Sequence, residues 1–262
     1  MAAHALELTG VSSGYSGKQI LHDIRLKITE PSIYVVLGPN GAGKTTLFRT
    51  ICGILEGGGG QVMFDGQDVF NSSETRRRMI YMSHLNALPE EMTVLQALNF
   101  FCEIEGGGDT SHVIEALRLK PLLNKKVSDL SQGQKKRVSI AKVFLRERDL
   151  YLLDEPTSNV DPKVSREVRE YILNLAKDKI VLYSSHNLYE AKEIATHLIL
   201  IKDGTVKFFG RIGDLQRTKC RYGIKSPTDL TKLIGAEYSG GYYTVDLGAP
   251  EEAGALVKKL VD

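Results

Sequence analysis

Short runs of aliphatic and β-branched residues recur along the chain, separated by segments whose apolar positions fall at helical spacing. That alternation predicts an α/β fold with a largely parallel sheet, because strands buried on both faces read as continuous apolar runs. Ile33–Leu37, Met79–Met82, Leu150–Leu153, Ile180–Ser184 and Leu198–Lys202 are the candidate strands of that sheet. Near the start of the chain Leu6–Val11 and Ile24–Ile28 alternate instead, and Gln61–Phe64 runs into the turn pair Asp65-Gly66. A small antiparallel sheet is therefore expected beside the parallel one. Val94, Leu95, Leu98, Phe101 and Ile104 keep helical spacing behind a Thr93/Gln96 capping-box pattern, and this helix opens an insert of about residues 86–129. The glycine runs Gly57–Gly60 and Gly106–Gly108 read as flexible connections. After about Leu215 the pattern resets. Val245 lies in a strand-like run, and a helix opened by Glu251-Glu252 and ended by Lys258-Lys259 has the charge order that suits a helix dipole. Residues 216–262 are thus expected to form a small βα appendage to a domain of residues 1–215.

Composition narrows the class without naming it. The 262 residues carry 34 Lys and Arg against 32 Asp and Glu, a net charge of +2, which offers no general attraction for nucleic acid or anionic lipid. No apolar run approaches the roughly 20 residues of a membrane span, and Met1–Gly10 lacks the pattern of a secretory signal. Cys52, Cys102 and Cys220 are odd in number and far apart, so neither a disulfide framework nor a zinc knuckle is indicated, and a reducing cytoplasm is the expected setting.

Two motifs carry chemistry. Gly38-Pro39-Asn40-Gly41-Ala42-Gly43-Lys44-Thr45 fits G-x-x-x-x-G-K-[ST] between a predicted strand and a helical pattern starting near Thr46. Glycines let backbone N–H groups approach phosphates, Lys44 reaches the β and γ phosphates, and the Thr45 hydroxyl is suited to Mg²⁺. The second motif is Leu150-Tyr151-Leu152-Leu153-Asp154-Glu155-Pro156, an apolar strand ending in two adjacent carboxylates. Asp154 would hold Mg²⁺ and Glu155 would polarise the water attacking the γ-phosphate. An acidic pair after a strand is by itself more often a loop start or a helix cap, but the phosphate loop upstream makes an NTPase the better reading.

Leu130-Ser131-Gln132-Gly133-Gln134, directly before a basic helix start, resembles the signature of ATP-binding cassette (ABC) proteins, with Gln132 where the family usually has Gly. Over about residues 5–215 the resemblance implies a P-loop NTPase fold: a RecA-like parallel sheet core, a flanking antiparallel β-subdomain and a helical insert. It also implies roles. Tyr15 would stack on adenine, Asp161 of Ser158-Asn159-Val160-Asp161 would couple two sites across a dimer, and His186 would contact the γ-phosphate. Ser131, Gly133 and Gln134 would meet the ATP held by a second cassette, in a homodimer or a heterodimer. His84 stands where the family usually has a Gln that touches Mg²⁺ and the attacking water, so turnover is expected to respond to pH where imidazoles titrate. The family further implies ATP and Mg²⁺ as ligands, a separately encoded transmembrane permease, a peripheral position on the cytoplasmic face of the membrane, and no nucleic-acid partner. The appendage resembles that of exporter ATPases, so export is expected over import. The rival class is a soluble single-cassette ATPase of a cofactor-assembly or other non-transport complex.

Overall fold

In the computed structural model of the chain, the residues described are 4–158, 160–215, 220–224, 229–239 and 242–247. Leu6–Tyr15 (β1) and Lys18–Ile28 (β2) pair antiparallel. Ser32–Leu37 (β3) leads through the phosphate loop into Lys44–Ile51 (α1). Gly57–Phe64 (β4) and Gln67–Asp68 (β5) form a hairpin, and Ser73–Arg77 (α2) precedes Met79–Met82 (β6). The insert supplies Val94–Ile104 (α3), Ser111–Ala116 (α4) and two short 3-10 turns ahead of Gln132–Val143 (α5). Leu150–Asp154 (β7), Pro162–Leu175 (α6), Ile180–Ser185 (β8), Leu188–Ile194 (α7), His197–Lys202 (β9) and Thr205–Arg211 (β10) follow.

These strands make two sheets. One has the order β2-β1-β4-β5; the other runs β10-β9-β3-β8-β7-β6, in which β9, β3, β8, β7 and β6 run parallel to one another. Every residue of β7 and β8 is buried, as strands covered on both faces must be. Between the sheets lies one apolar core built from Leu6, Leu21, Ile24, Val36, Phe48 and Phe64 among others. The helix predicted after Thr93 is present and begins with both reciprocal bonds of its capping box: the Gln96 amide donates to Thr93 Oγ1 at 3.2 Å, and the Thr93 amide donates to Gln96 Oε1 at 2.9 Å.

One expectation fails. Gly57–Gly60 belong to β4 rather than to a flexible connection, with Gly57 opposite Ser13 and Gly59 opposite Ser12 on β1. The reason is a close approach: a Cβ on Gly60 would stand 2.4 Å from the Gly10 carbonyl oxygen, and φ at Gly60 is +81°. Only glycine lets the two backbones meet there.

By contact density the chain divides into Met1–Phe209 and Gly210–Asp262. The second unit contains Ile212–Leu215 (α8), Cys220–Ile224 (β11), Thr231–Ile234 (α9), Glu237–Ser239 (β12) and Tyr242–Leu247 (β13), with an antiparallel sheet of order β11-β13-β12. Val245 lies in β13, whereas the helix expected from Glu251 to Lys259 lies outside the described residues. Among the described residues no helix is long and apolar enough to cross a membrane.

Candidate nucleotide site

The phosphate loop closes at the carboxyl end of β3, where ligands of parallel α/β sheets bind. Gly43 caps α1 with φ +105°, and a Cβ there would come within 2.8 Å of Leu21 Cδ2, so the turn into the helix requires glycine. No side chain caps this helix and its first turn holds no acidic residue, which leaves its N–H groups and positive dipole end available to an anion. Lys44 is 6% exposed and curls back over the loop, donating to Gly38 O at 2.8 Å and Pro39 O at 3.1 Å. Burial lowers the pKa of its ammonium, with Glu155 and Asp154 opposing that shift. A cation held on neutral carbonyl oxygens beside two carboxylates is poised to take a phosphate instead.

Asp154 is 2% exposed and accepts three hydroxyl bonds: from Thr45 Oγ1 at 2.7 Å, Tyr81 Oη at 3.2 Å and Ser184 Oγ at 2.6 Å. Burial, then the Asp154 charge, pushes the Tyr81 phenol up to about 12, so it remains a donor at neutral pH. The hydroxyl of Thr45 on the carboxylate of Asp154 pairs two hard oxygen donors beside the phosphate loop, a set that fits Mg²⁺ completed by phosphate oxygens and water. Glu155 adopts φ +47°, a backbone region that non-glycine residues seldom occupy and that clusters at functional sites. The strained turn is fixed on both sides: the Glu155 amide donates to Ser184 Oγ at 2.9 Å, and Ser158 Oγ donates to the Glu155 carbonyl at 2.9 Å. Glu155 Oε1 then stands 3.2 Å from His186 Nδ1. Lys136 of α5, buried, reaches the carbonyl of His84 at 3.5 Å; desolvation lowers its pKa against the pull of Asp154 and Glu155.

These groups enclose a cleft of about 590 Å³. Asn40, Gly41, Gly43, Lys44, Thr45, Thr46, His84, Asp154, Glu155 and His186 all line it, joined by Ser158 and Ile20. Gly38 and Pro39 contribute carbonyls to Lys44, and Ala42 is buried beneath the loop. Five residues singled out from the sequence lie elsewhere. Tyr15 does not line the cleft; its hydroxyl accepts from Arg49 Nη1 at 3.2 Å. Ser131 and Gln134 form a capping box at the exposed start of α5, where Gly133 occupies the first turn. Asp161 caps α6 by accepting from the Val164 amide at 3.1 Å. Ser184, Tyr81, Ile20 and Lys136 were not found by sequence reasoning. For Ser184 the missing signal is nonlocal: it stands opposite Asp154 only because β8 pairs with β7.

A phosphate loop and an acidic pair at the carboxyl ends of one parallel sheet define a P-loop nucleotide-binding cassette. Residues 21–158 match the ABC transporter family, more than half of the chain, and the chain belongs to it. It is 36% identical over 216 residues to the sn-glycerol-3-phosphate import ATP-binding protein UgpC of Burkholderia lata, covering 79% of this chain and 60% of that protein. It is 27% identical over 267 residues to the sulfate/thiosulfate import ATP-binding protein CysA of Caulobacter vibrioides, covering 95% of this chain and 79% of that protein. Among solved structures, an ATP-binding subunit of an ABC transporter superposes with a TM-score of 0.74 at 28% identity, covering 81% of this chain and 92% of that one. The chain spans about 60% of the length of the UgpC relatives it matches.

Proposed function

We propose that this chain binds and hydrolyses ATP as the ATP-binding subunit of an ABC transporter and works with a separately encoded membrane permease. The observation that carries the reading is the convergence of Lys44, the Thr45–Asp154 pair and the Glu155–His186 pair on one cleft. Lys44 exchanges its carbonyl partners for the β and γ phosphates, while the α1 N-terminus receives the phosphate oxygens. Thr45 and Asp154 hold Mg²⁺, which, when bound, neutralises charge on the phosphate oxygens. Glu155 accepts a proton from the attacking water, and His186 orients that carboxylate and meets the γ-phosphate. His84, on the cleft wall, supplies a further polar contact to the water in place of the usual amide.

The remaining ATP contacts come from a second cassette. Ser131 lies exposed at the N-terminus of α5 and, with Gly133 and Gln134, is available to the γ-phosphate bound by another copy or another cassette, with Asp161 coupling the two sites. Tyr15 reaches adenine once it leaves Arg49. Leu95, Phe100 and Ile104 of α3 are exposed on the insert and offer the permease an apolar face, whose docking holds the subunit on the cytoplasmic side of the membrane. The relatives' names are those of import proteins, so export, expected from the appendage, gains no support and the proposal carries no direction.

Two variants test the assignment. Glu155→Gln should bind MgATP, hydrolyse it at least about 100-fold more slowly and accumulate a dimer, because a positioned general base contributes about 10²–10⁴-fold. Lys44→Ala should lose ATP affinity in an equilibrium binding measurement. Unchanged turnover in the first, or unchanged binding in the second, removes the corresponding role. Affinity purification from membranes that brings down only soluble assembly partners, and no chain with several apolar spans, would refute the transport role and leave the ATPase chemistry standing.

A further inference from the structure

Glu190 of α7 does not line the nucleotide cleft, yet its carboxylate gathers hydroxyls from both loops that carry the reacting groups. Its Oε1 accepts from Tyr183 Oη at 2.6 Å and from Thr157 Oγ1, and its Oε2 accepts from Ser185 Oγ at 2.6 Å. Thr157 lies two residues after Glu155, and Ser185 directly precedes His186. The carboxylate does no capping work for its own helix, since Asn187 Oδ1 already accepts from the Tyr189 and Glu190 amides. Glu190 is 16% exposed, and the guanidinium of Arg169 stands 3.9 Å from Oε1. Three hydroxyl protons thus converge on one largely buried charge, the strong kind of hydrogen bond.

We propose that Glu190 is a positioning residue for ATP hydrolysis, tying the Glu155 loop to the His186 loop through Thr157 and Ser185. The inference rests on the hydrolytic function proposed above. Geometry supplies the need for such a tie: a cavity of about 390 Å³ opens behind Glu155 and His186, with Thr157, Ser185 and Glu190 in its wall. At the near edge of that space the Ser184 hydroxyl already accepts from the Glu155 amide, and the Glu190 carboxylate adds a second tie, farther along both loops, that keeps Glu155 Oε1 3.2 Å from His186 Nδ1. Misplacement of a reacting group by about 1 Å is enough to cost about 100-fold in rate. Burial, then the Glu190 charge, holds the Tyr183 phenol well above its ordinary value, so that hydroxyl remains a donor at any pH used for assay. Lys44 and Thr45 are not part of this network, so ATP affinity is expected to depend on it much less than turnover does.

The test separates rate from affinity in the full chain. Glu190→Ala should lower kcat about tenfold or more while the Kd for MgATP changes less than about twofold. Glu190→Gln keeps an oxygen for Tyr183 and Thr157 and an amide for Ser185 Oγ, and should restore kcat to within about threefold of the parent. Thr157→Val removes one hydroxyl with little change of volume, covers the case in which Glu190→Ala does not fold, and should lower kcat with the Kd intact. Parental kcat in Glu190→Ala or Thr157→Val, a proportional loss of affinity and kcat, or no rescue by Gln would each overturn the positioning role. A parent that binds MgATP without turning it over would overturn the hydrolytic reading itself.

Discussion

Ser184→Ala removes one oxygen that serves both members of the acidic pair. The Ser184 hydroxyl donates to Asp154 Oδ1 at 2.6 Å and accepts from the Glu155 amide at 2.9 Å, and the residue is fully buried. A hydrogen bond to a charged group is worth about 1.5–3 kcal/mol, and a buried donor left without a partner costs about 1–3 kcal/mol. The two effects share one site and are not additive, so the expected loss is about 2–4 kcal/mol. For a unit of about 150–250 residues each kcal/mol moves Tm by about 2–4 °C, which gives a fall of at least about 4 °C. Ser139→Ala is the internal comparison, since Ser139 is equally buried but makes one neutral bond, to Asn86 O at 3.1 Å. Its cost should be about 1 kcal/mol. Thermal unfolding of the two variants beside the parent, together with MgATP turnover of Ser184→Ala, provides the measurement. Turnover should fall about tenfold or more, because Asp154 loses one of three tethers and the strained Glu155 turn loses its amide anchor. If Ser184→Ala is no more destabilising than Ser139→Ala and turns over ATP at the parental rate, the hydroxyl neither holds the pair nor positions it.

Two further outcomes are expected. His84→Ala should lower MgATP turnover while His84→Gln, which keeps a hydrogen-bonding side chain, should hold it nearer the parental rate, and parental turnover in His84→Ala would remove His84 from the reaction. Burial alone would raise the Asp65 carboxyl, but the Ala5 amide, His4 and Arg78 outweigh it and hold its pKa below the ordinary value. A depressed carboxylate stabilises the fold above its unfolded pKa, about 3.9, and that contribution is lost as pH falls through the lower folded value. Asp65→Asn should therefore be less stable than the parent near neutrality and converge with it in strong acid. A constant difference in Tm from pH 7 to pH 2 would refute the sign.

Much of the cassette was legible because its signals are local. The apolar runs became β3, β6, β7, β8 and β9, since the period of burial is written residue by residue. The Thr93/Gln96 cap formed as predicted because both of its bonds close within one turn. The phosphate loop and the acidic pair were equally readable, because their chemistry demands particular residues at fixed spacing, and Lys44, Thr45, Asp154, Glu155 and His186 do meet in one cleft.

What local pattern does not contain is which strand lies beside which. β8 sits between the strand that feeds the phosphate loop and the strand that ends in Asp154, so a serine from β8 becomes the hinge of the acidic pair. Tyr81 and Lys136 join the site for the same reason, from a neighbouring strand and a packed helix. The glycine run in β4 looked flexible because the sequence shows the missing side chains but not the Gly10 backbone pressed against them. The sequence by itself determined the elements and the reacting groups, which depend on near neighbours along the chain. Strand order, the second half of every hydrogen bond to Asp154 and the Glu190 tie were decided by tertiary packing, because each joins residues that only a closed core brings together.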